Sequence, residues 1–172
     1  MYSKSKLAEY IKEQAVRTGE FVLASGKKSS FYIDLKAAYT DPKIMNMIVE
    51  GLSEAIANEK FDRIAGMETG GVPIATALSL KTGLPFIIIR KKGKGYGTDN
   101  RIEGKLSSGE NVIVVEDIVT TGGSVKSGIE TLREMGGKCN KVIAVVDRLE
   151  GASKNLEKVN ISLETLLTLK DL

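Results

Sequence analysis

The sequence predicts an α/β fold, a parallel sheet covered by helices on both faces, and three observations predict it. Continuously apolar runs such as Phe86–Ile89 and Val112–Val115 have the length and pattern of strands buried on both sides. Segments of helical periodicity alternate with them, as in a sheet wound through crossover helices. Glycine-bearing loops, GMETGG, KKGKGYGTDNRIEG and EDIVTTGG, leave the carboxyl ends of three of the strands, where ligands bind in such sheets. With 172 residues and no internal repeat, low-complexity tract or Pro- or Ser-rich linker, the chain is expected to form one domain, 1–172.

Taken in order, a first amphipathic helix is predicted from about Ser3 to Arg17, because Leu7, Tyr10, Ile11 and Gln14–Ala15 recur at helical spacing before Gly19. Phe21–Leu23 and Phe31–Ile33 form short strands joined by a turn at Gly26, and with the helix they make a hood over residues 1–40. Asp41–Pro42 opens the next helix, a side-chain cap followed by proline at the first helical position. That helix carries Ile44, Ile48, Leu52, Ala55 and Ile56 on one face. Arg63–Ala65 is a strand, then a helix runs from Val72 to Lys81 and ends at Gly83. Pro85–Arg90 is a strand, followed by a long loop from Lys91 to about Ser108. Asn111–Val115 is a strand, and after EDIVTTGG a helix spans about Ser124 to Met135, stopped by Gly136–Gly137. Val142–Val146, a short helix Ala152–Lys158 and a strand Ile161–Leu166 complete the pattern.

Composition removes several chemistries. The chain has no His, which excludes imidazole acid–base catalysis, His-based zinc sites and Ser-His-Asp or Cys-His nucleophile pairs. A lone Cys139 excludes an internal disulfide and a cysteine metal cluster. The formal net charge of +3 is too small to argue for nucleic acid by itself. The first residues, MYSKSKLAEYIKEQ, are charged throughout and have no apolar stretch, and no run approaches a membrane span, so a soluble, cytoplasmic protein is expected.

Chemistry concentrates in VIVVEDIVTTGGS. A strand delivers two adjacent carboxylates, Glu116 and Asp117, and then Ile118, Val119, Thr120, Thr121, Gly122, Gly123 and Ser124 lead into a helix. Glycine amides, hydroxyls and a helix N-terminus make a phosphate cradle. The carboxylates suit hydroxyls, a developing cation or a metal carried by the substrate, so the pair of features points to a sugar phosphate. The loop lacks the Lys of a nucleotide triphosphatase loop. A second segment, RKKGKGYGTDNRIEG, gathers Arg90, Lys91, Lys92, Lys94 and Arg101 among four glycines, a basic loop expected to move and to close over a polyanion. Residue types alone leave it equally a solvated charge run. A third, AGMETGGVPIATALS, offers glycine amides before a proline-started helix, which a tight turn explains equally well.

These motifs carry a resemblance. VIVVEDIVTTGGS resembles the phosphoribosyl-pyrophosphate (PRPP) signature of type I phosphoribosyltransferases, which implies that Glu116 and Asp117 hold the ribose hydroxyls and that Ile118 to Ser124 hold the 5-phosphate. RKKGKGYGTDNRIEG is similar to the catalytic lid of the orotate-specific branch, which implies that Arg90, Lys91 and Lys94 hold the pyrophosphate, with lid residues shared across a homodimer. The family's usual His before the lid glycine is Tyr96 here. AGMETGGVPIATALS resembles the pyrophosphate loop but lacks the basic residue that many relatives carry in it. GEFVLASGKKSSFYIDLK resembles the base-binding hood, with Phe31 and Tyr32 toward the pyrimidine and Ala24 where the bacterial branch often has Lys. Arg148, in VVDRLEG, takes the place of the family's orotate-carboxylate Arg, and Thr120 also falls on the orotate side.

The implied reaction joins orotate to PRPP, with Mg²⁺ entering on PRPP and no metal ligated by the protein alone. Lys91, Lys94 and Asp117 are the catalytic candidates, and neither nucleic acid nor membrane is an expected partner. A purine or uracil phosphoribosyltransferase would share the PRPP loop and differ in the hood and Arg148. A PRPP-sensing regulator that binds nucleic acid, or a non-catalytic relative, also fits the residues.

Overall fold

A computed structural model describes residues 2–22, 28–91 and 101–172. Ala24 and most of the basic loop, Lys94 and Tyr96 included, lie outside the described residues.

The hood begins with α1, Lys4–Ala15, capped by the Ser3 hydroxyl and burying Leu7, Ile11 and Ala15 at successive turns. It ends two residues short of the predicted Arg17. The β-branched Val16 starts β1 (Val16–Val22) instead, which pairs antiparallel with β2 (Lys28–Ile33) from Val16↔Ile33 onward. Gly19 therefore lies within the strand, in the register shift between Thr18 and Phe21, rather than stopping a helix. A five-residue helix α2, Leu35–Tyr39, was not evident in the sequence; it buries Leu35, Ala38 and Tyr39. The Asp41 carboxylate accepts from the Lys43 N–H at 2.8 Å and starts α3, Pro42–Ile56, as its motif predicts.

The core sheet comprises β3 (Arg63–Met67), β4 (Phe86–Ile89), β5 (Ile102–Glu103), β6 (Val112–Val119), β7 (Lys141–Asp147) and β8 (Ser162–Thr168), in the order β5-β4-β3-β6-β7-β8. All neighbours are parallel except the short edge strand β5, which folds back antiparallel on β4. Crossovers are α4 (Gly71–Thr82), α5 (Gly123–Glu134) and α6 (Ala152–Glu157), and a 3-10 turn, Leu169–Asp171, closes the chain.

Alternation along the strands builds two cores. Ile64, Ile113, Val115, Ile143 and Val145 face one side and pack with α1 to α4; Ala65, Met67, Val112, Val114, Val142 and Ala144 face the other and pack with α5 and α6. The predicted parallel sheet with helices on both faces is thus the observed fold.

The largest departure from expectation is β6. Its predicted end at Val115 moves to Val119, and Glu116 and Asp117 lie inside the strand, not in a loop beyond it. An apolar pattern stops at the first carboxylate. Parallel pairing does not, because backbone groups continue to match β7 at Glu116↔Ala144, Ile118↔Val146 and Val119↔Asp147.

At the opposite ends of the strands, Arg63 grips Glu110 with two bonds of 2.7 Å, and Glu110 also accepts from the Ser107 N–H at 3.0 Å. The guanidinium holds the Glu110 carboxyl far below its usual 4.5, at about 2. A depressed carboxyl pKa stabilises the fold above the unfolded value and ceases to do so as pH falls through the folded one. We expect the thermal midpoint to fall between about pH 4.5 and pH 2, and Glu110→Gln to flatten that part of the profile. A calorimetric pH series checks it, and an unchanged acid limb in the variant would exclude this pair as the cause.

No described helix is long and apolar enough to cross a membrane.

Candidate active site

The chain leaves β3 toward β4 on one side and resumes at β6 on the other, so strand order reverses between β3 and β6. Loops diverge at such a point and leave a crevice beyond the carboxyl ends of the strands. There lies a cavity of about 390 Å³, lined by Thr69 and Gly70 from the loop after β3, by Glu116 through Val125 from the end of β6 into the start of α5, and by Lys36 and Lys91.

Close approach of the loop after β3 to strand β6 demands glycine. A Cβ on Gly70 would lie 1.9 Å from Asp117 Oδ2, and one on Gly71 would lie 2.3 Å from the Val115 carbonyl oxygen. The helix α4 therefore starts directly against β6 because its first residue, Gly71, and the Gly70 that precedes it have no side chains. On the other side, Gly122 at φ 79° turns the chain out of β6 into α5. Thr120, Thr121, Gly122, Gly123 and Ser124 then stand around a helix N-terminus, where hydroxyls and free amides favour an anion.

Beneath this cradle sits the acidic pair. Glu116 and Asp117 are 6% and 8% exposed, which is unusual for carboxyl groups. Burial, reinforced by the neighbouring Asp117, pushes the Glu116 carboxyl well above its usual range. The Asp117 N–H donates to Glu116 Oε1 at 3.0 Å, and Asp117 Oδ1 accepts from the Ile118 N–H at 2.8 Å. Asp117 Oδ2 faces Lys36 Nζ at 3.5 Å. The buried Tyr39 phenol is raised to about 12, by burial first and then by Asp117 and Glu116.

The structure brings Glu116, Asp117, Thr120, Thr121, Gly122, Gly123, Ser124 and Lys91 to one cavity, as the motifs anticipate. Ile118 lines it half-buried. Val119 is buried among core side chains, and its carbonyl is taken by the Arg148 N–H at 3.0 Å. Arg90 is not brought to the cavity; its Nη1 pairs with Glu103 Oε1 at 3.0 Å. The reason is the β4–β5 hairpin, which binds the Arg90 backbone to Arg101 and turns its side chain toward β5. Arg101 is a brace rather than an anion ligand. Its guanidinium donates to Ser127 and Thr131 on α5 and to the carbonyls of Arg90 and Lys91, so it fixes the backbone from which Lys91 projects. Lys94 lies outside the described residues.

One strand further along, a second cluster forms at the end of β7. Arg148 follows Asp147, whose carboxylate accepts from the Leu149 N–H at 2.8 Å in a turn that holds Leu149 at φ 60°. The Arg148 guanidinium lies 5.7 Å from the Phe31 ring centroid, and Tyr32 packs with Phe21 at 5.7 Å. Its Nη2 pairs with Glu150 at 3.1 Å. Yet its Nε is buried and is the one such side-chain atom without a hydrogen-bond partner among the described residues. The hood residue Phe31 thus meets Arg148 across more than a hundred positions of sequence, while Tyr32 packs within the hood on Phe21.

Sequence reasoning missed Lys36 and Thr69 as lining residues. Lys36 sits in a helix too short to show a period, and only a lysine within an otherwise apolar LKAAY marks it.

Similarity to known proteins agrees with this geometry. Residues 37–166 match the family model described as the phosphoribosyl transferase domain. Across 100% of this chain and 98% of its own length, the orotate phosphoribosyltransferase of Methanocaldococcus jannaschii is 51% identical. The crystal structure of the orotate phosphoribosyltransferase from Aeropyrum pernix superposes with a TM-score of 0.88 at 36% identity, covering 95% of this chain and 94% of that one. The Mycobacterium tuberculosis enzyme in complex with PRPP superposes with a TM-score of 0.82 at 29% identity, over 98% and 97% of the two chains. The chain belongs to the phosphoribosyl transferase family, and within it to the orotate phosphoribosyltransferases.

Proposed function

We propose that the chain transfers the 5-phosphoribosyl group from PRPP to orotate, giving orotidine 5′-monophosphate and pyrophosphate in pyrimidine nucleotide synthesis. The observation that carries this is the cavity itself: a buried carboxyl pair beneath a hydroxyl-and-amide cradle, one strand from an arginine whose buried Nε lacks a partner. The cradle Thr120–Ser124 takes the 5-phosphate, and Glu116 and Asp117 take the ribose hydroxyls.

In the reaction the bond from the anomeric carbon to the diphosphate oxygen breaks, a bond from orotate nitrogen to that carbon forms, and the proton on that nitrogen leaves to the departing diphosphate or to water. Positive charge develops on the ribose ring while negative charge leaves with pyrophosphate, so catalysis is positioning plus stabilisation of separating charges. Asp117 stabilises the ring. Lys91, and Lys94 carried here from the sequence, meet the leaving diphosphate. Orotate's charge at neutral pH sits on its carboxylate, so the reacting nitrogen sheds its proton as the new bond forms, and a chain without His leaves that proton to the departing diphosphate or to water. Mg²⁺ carried in with PRPP would neutralise part of the diphosphate charge. Among the described residues no group of three or more His, Cys, Asp or Glu gathers into a cage, so Glu116 and Asp117 are the carboxyls the cavity offers that ion. A homodimer with lid residues shared between subunits, working in the cytoplasm, completes the proposal.

Arg148 and the Phe31 and Tyr32 rings receive the pyrimidine, the guanidinium taking its carboxylate through Nε and an Nη. Arg148→Ala should raise KM for orotate roughly 10- to 100-fold, the worth of a charge-assisted pair, with KM for PRPP little changed. Equal effects on both substrates would remove Arg148 from this role.

The defining experiment is an absorbance assay with PRPP, Mg²⁺ and orotate, repeated with uracil, adenine, guanine and hypoxanthine. Orotate consumption with pyrophosphate release, and none with the other bases, is the expected result. Turnover of another base would keep the PRPP site and discard the assignment of Arg148 and the hood.

A further inference from the structure

Resting on the PRPP reading above, we propose that Lys36 is a PRPP-binding residue: it holds the charge of Asp117 in the free protein and passes to the diphosphate when PRPP binds. Lys36 stands on α2, outside every motif of the core, yet it lines the cavity with Nζ 3.5 Å from Asp117 Oδ2.

The loop after β3 shows why a cation must arrive from elsewhere. Its residues Glu68, Thr69, Gly70 and Gly71 include no basic side chain, and at Gly70 a Cβ would lie 1.9 Å from the same Asp117 oxygen, so any side chain there displaces that carboxylate. Among the described lining residues the only cations are Lys36 and Lys91, facing two carboxyls. A diphosphate brings several further negative charges into that space, and repulsion from Asp117 has to be offset on the side where the loop is neutral.

The mount of Lys36 suits an exchange of partners. Leu35, Ala38 and Tyr39 bury α2 in the core at 1%, 0% and 6% exposure, so the backbone is fixed. The Lys36 side chain itself is 55% exposed, on four rotatable bonds, and its pairing with Asp117 is too exposed to contribute much to stability. When Asp117 turns to the ribose hydroxyls, the ammonium is left within the cavity to meet an anion.

Lys36→Ala and Lys36→Arg test this by steady-state kinetics and by calorimetric titration with inorganic pyrophosphate plus Mg²⁺. In the Ala variant, KM for PRPP and Kd for pyrophosphate should rise roughly 10- to 100-fold, as for loss of one charge-assisted contact. KM for orotate and the thermal midpoint should stay where they are, and Arg should restore most of the affinity. Unchanged pyrophosphate affinity in Lys36→Ala overturns the proposal, as does a parallel rise in both Michaelis constants. A wild-type protein that binds pyrophosphate but turns over no orotate would sink the orotate reaction alone, because the pyrophosphate titration judges Lys36 independently.

Discussion

Gly71→Ala should lower the thermal midpoint by about 6–12 °C, the equivalent of about 3 kcal/mol in a domain of this size. The added methyl would sit 2.3 Å from the Val115 carbonyl oxygen and 3.1 Å from its carbon. Those atoms are backbone of β6, whose residue Val115 is paired with both β3 and β7, so they cannot yield without opening the centre of the sheet. The matched control is Gly70→Ala, where the methyl meets side-chain rather than backbone atoms, the Asp117 carboxyl group with Oδ2 at 1.9 Å and Cγ at 2.1 Å. That carboxylate can swing aside, so the neighbouring substitution should spare the midpoint and impair turnover. Differential scanning calorimetry of both variants decides the matter; equal midpoints would mean that α4 shifts bodily to accept the methyl.

Asp117→Asn should lower kcat by roughly a thousandfold with little change in thermal midpoint. A full charge about 4 Å from a developing cation is worth about 4 kcal/mol at the effective dielectric of a partly enclosed site. Asn retains the shape and the capacity to accept from the Ile118 N–H, now made by Asp117 Oδ1 at 2.8 Å, so the strand should keep its form. Single-turnover kinetics at saturating PRPP and orotate isolates the chemical step. A loss confined to KM for PRPP, with kcat intact, would show that Asp117 holds the hydroxyls without stabilising the ring.

Much of this was legible in the residues. Asp41–Pro42, Gly83 and the all-apolar runs marked their elements because capping and burial act locally, within a few residues. The Thr120–Ser124 cradle was legible for the same reason. Three features were not. The extension of β6 through Glu116 and Asp117 depends on pairing with β7, which no local pattern records. The diversion of Arg90 to Glu103 depends on an antiparallel strand of only two residues. Lys36 enters the cavity because α2 is anchored by three core side chains, so its placement is a consequence of packing rather than of spacing.

The separation of the two cores has an evolutionary consequence. The loop that carries Gly70 continues into α4, which rests on one core, while the phosphate cradle continues into α5, which rests on the other, and the sheet lies between them. Substitutions in the two cores should therefore accumulate almost independently, since distant sites without shared partners act additively. The cavity is where both are felt at once. A lineage can drift in either layer, and the two meet at the cavity that Gly70 and Ser124 both line.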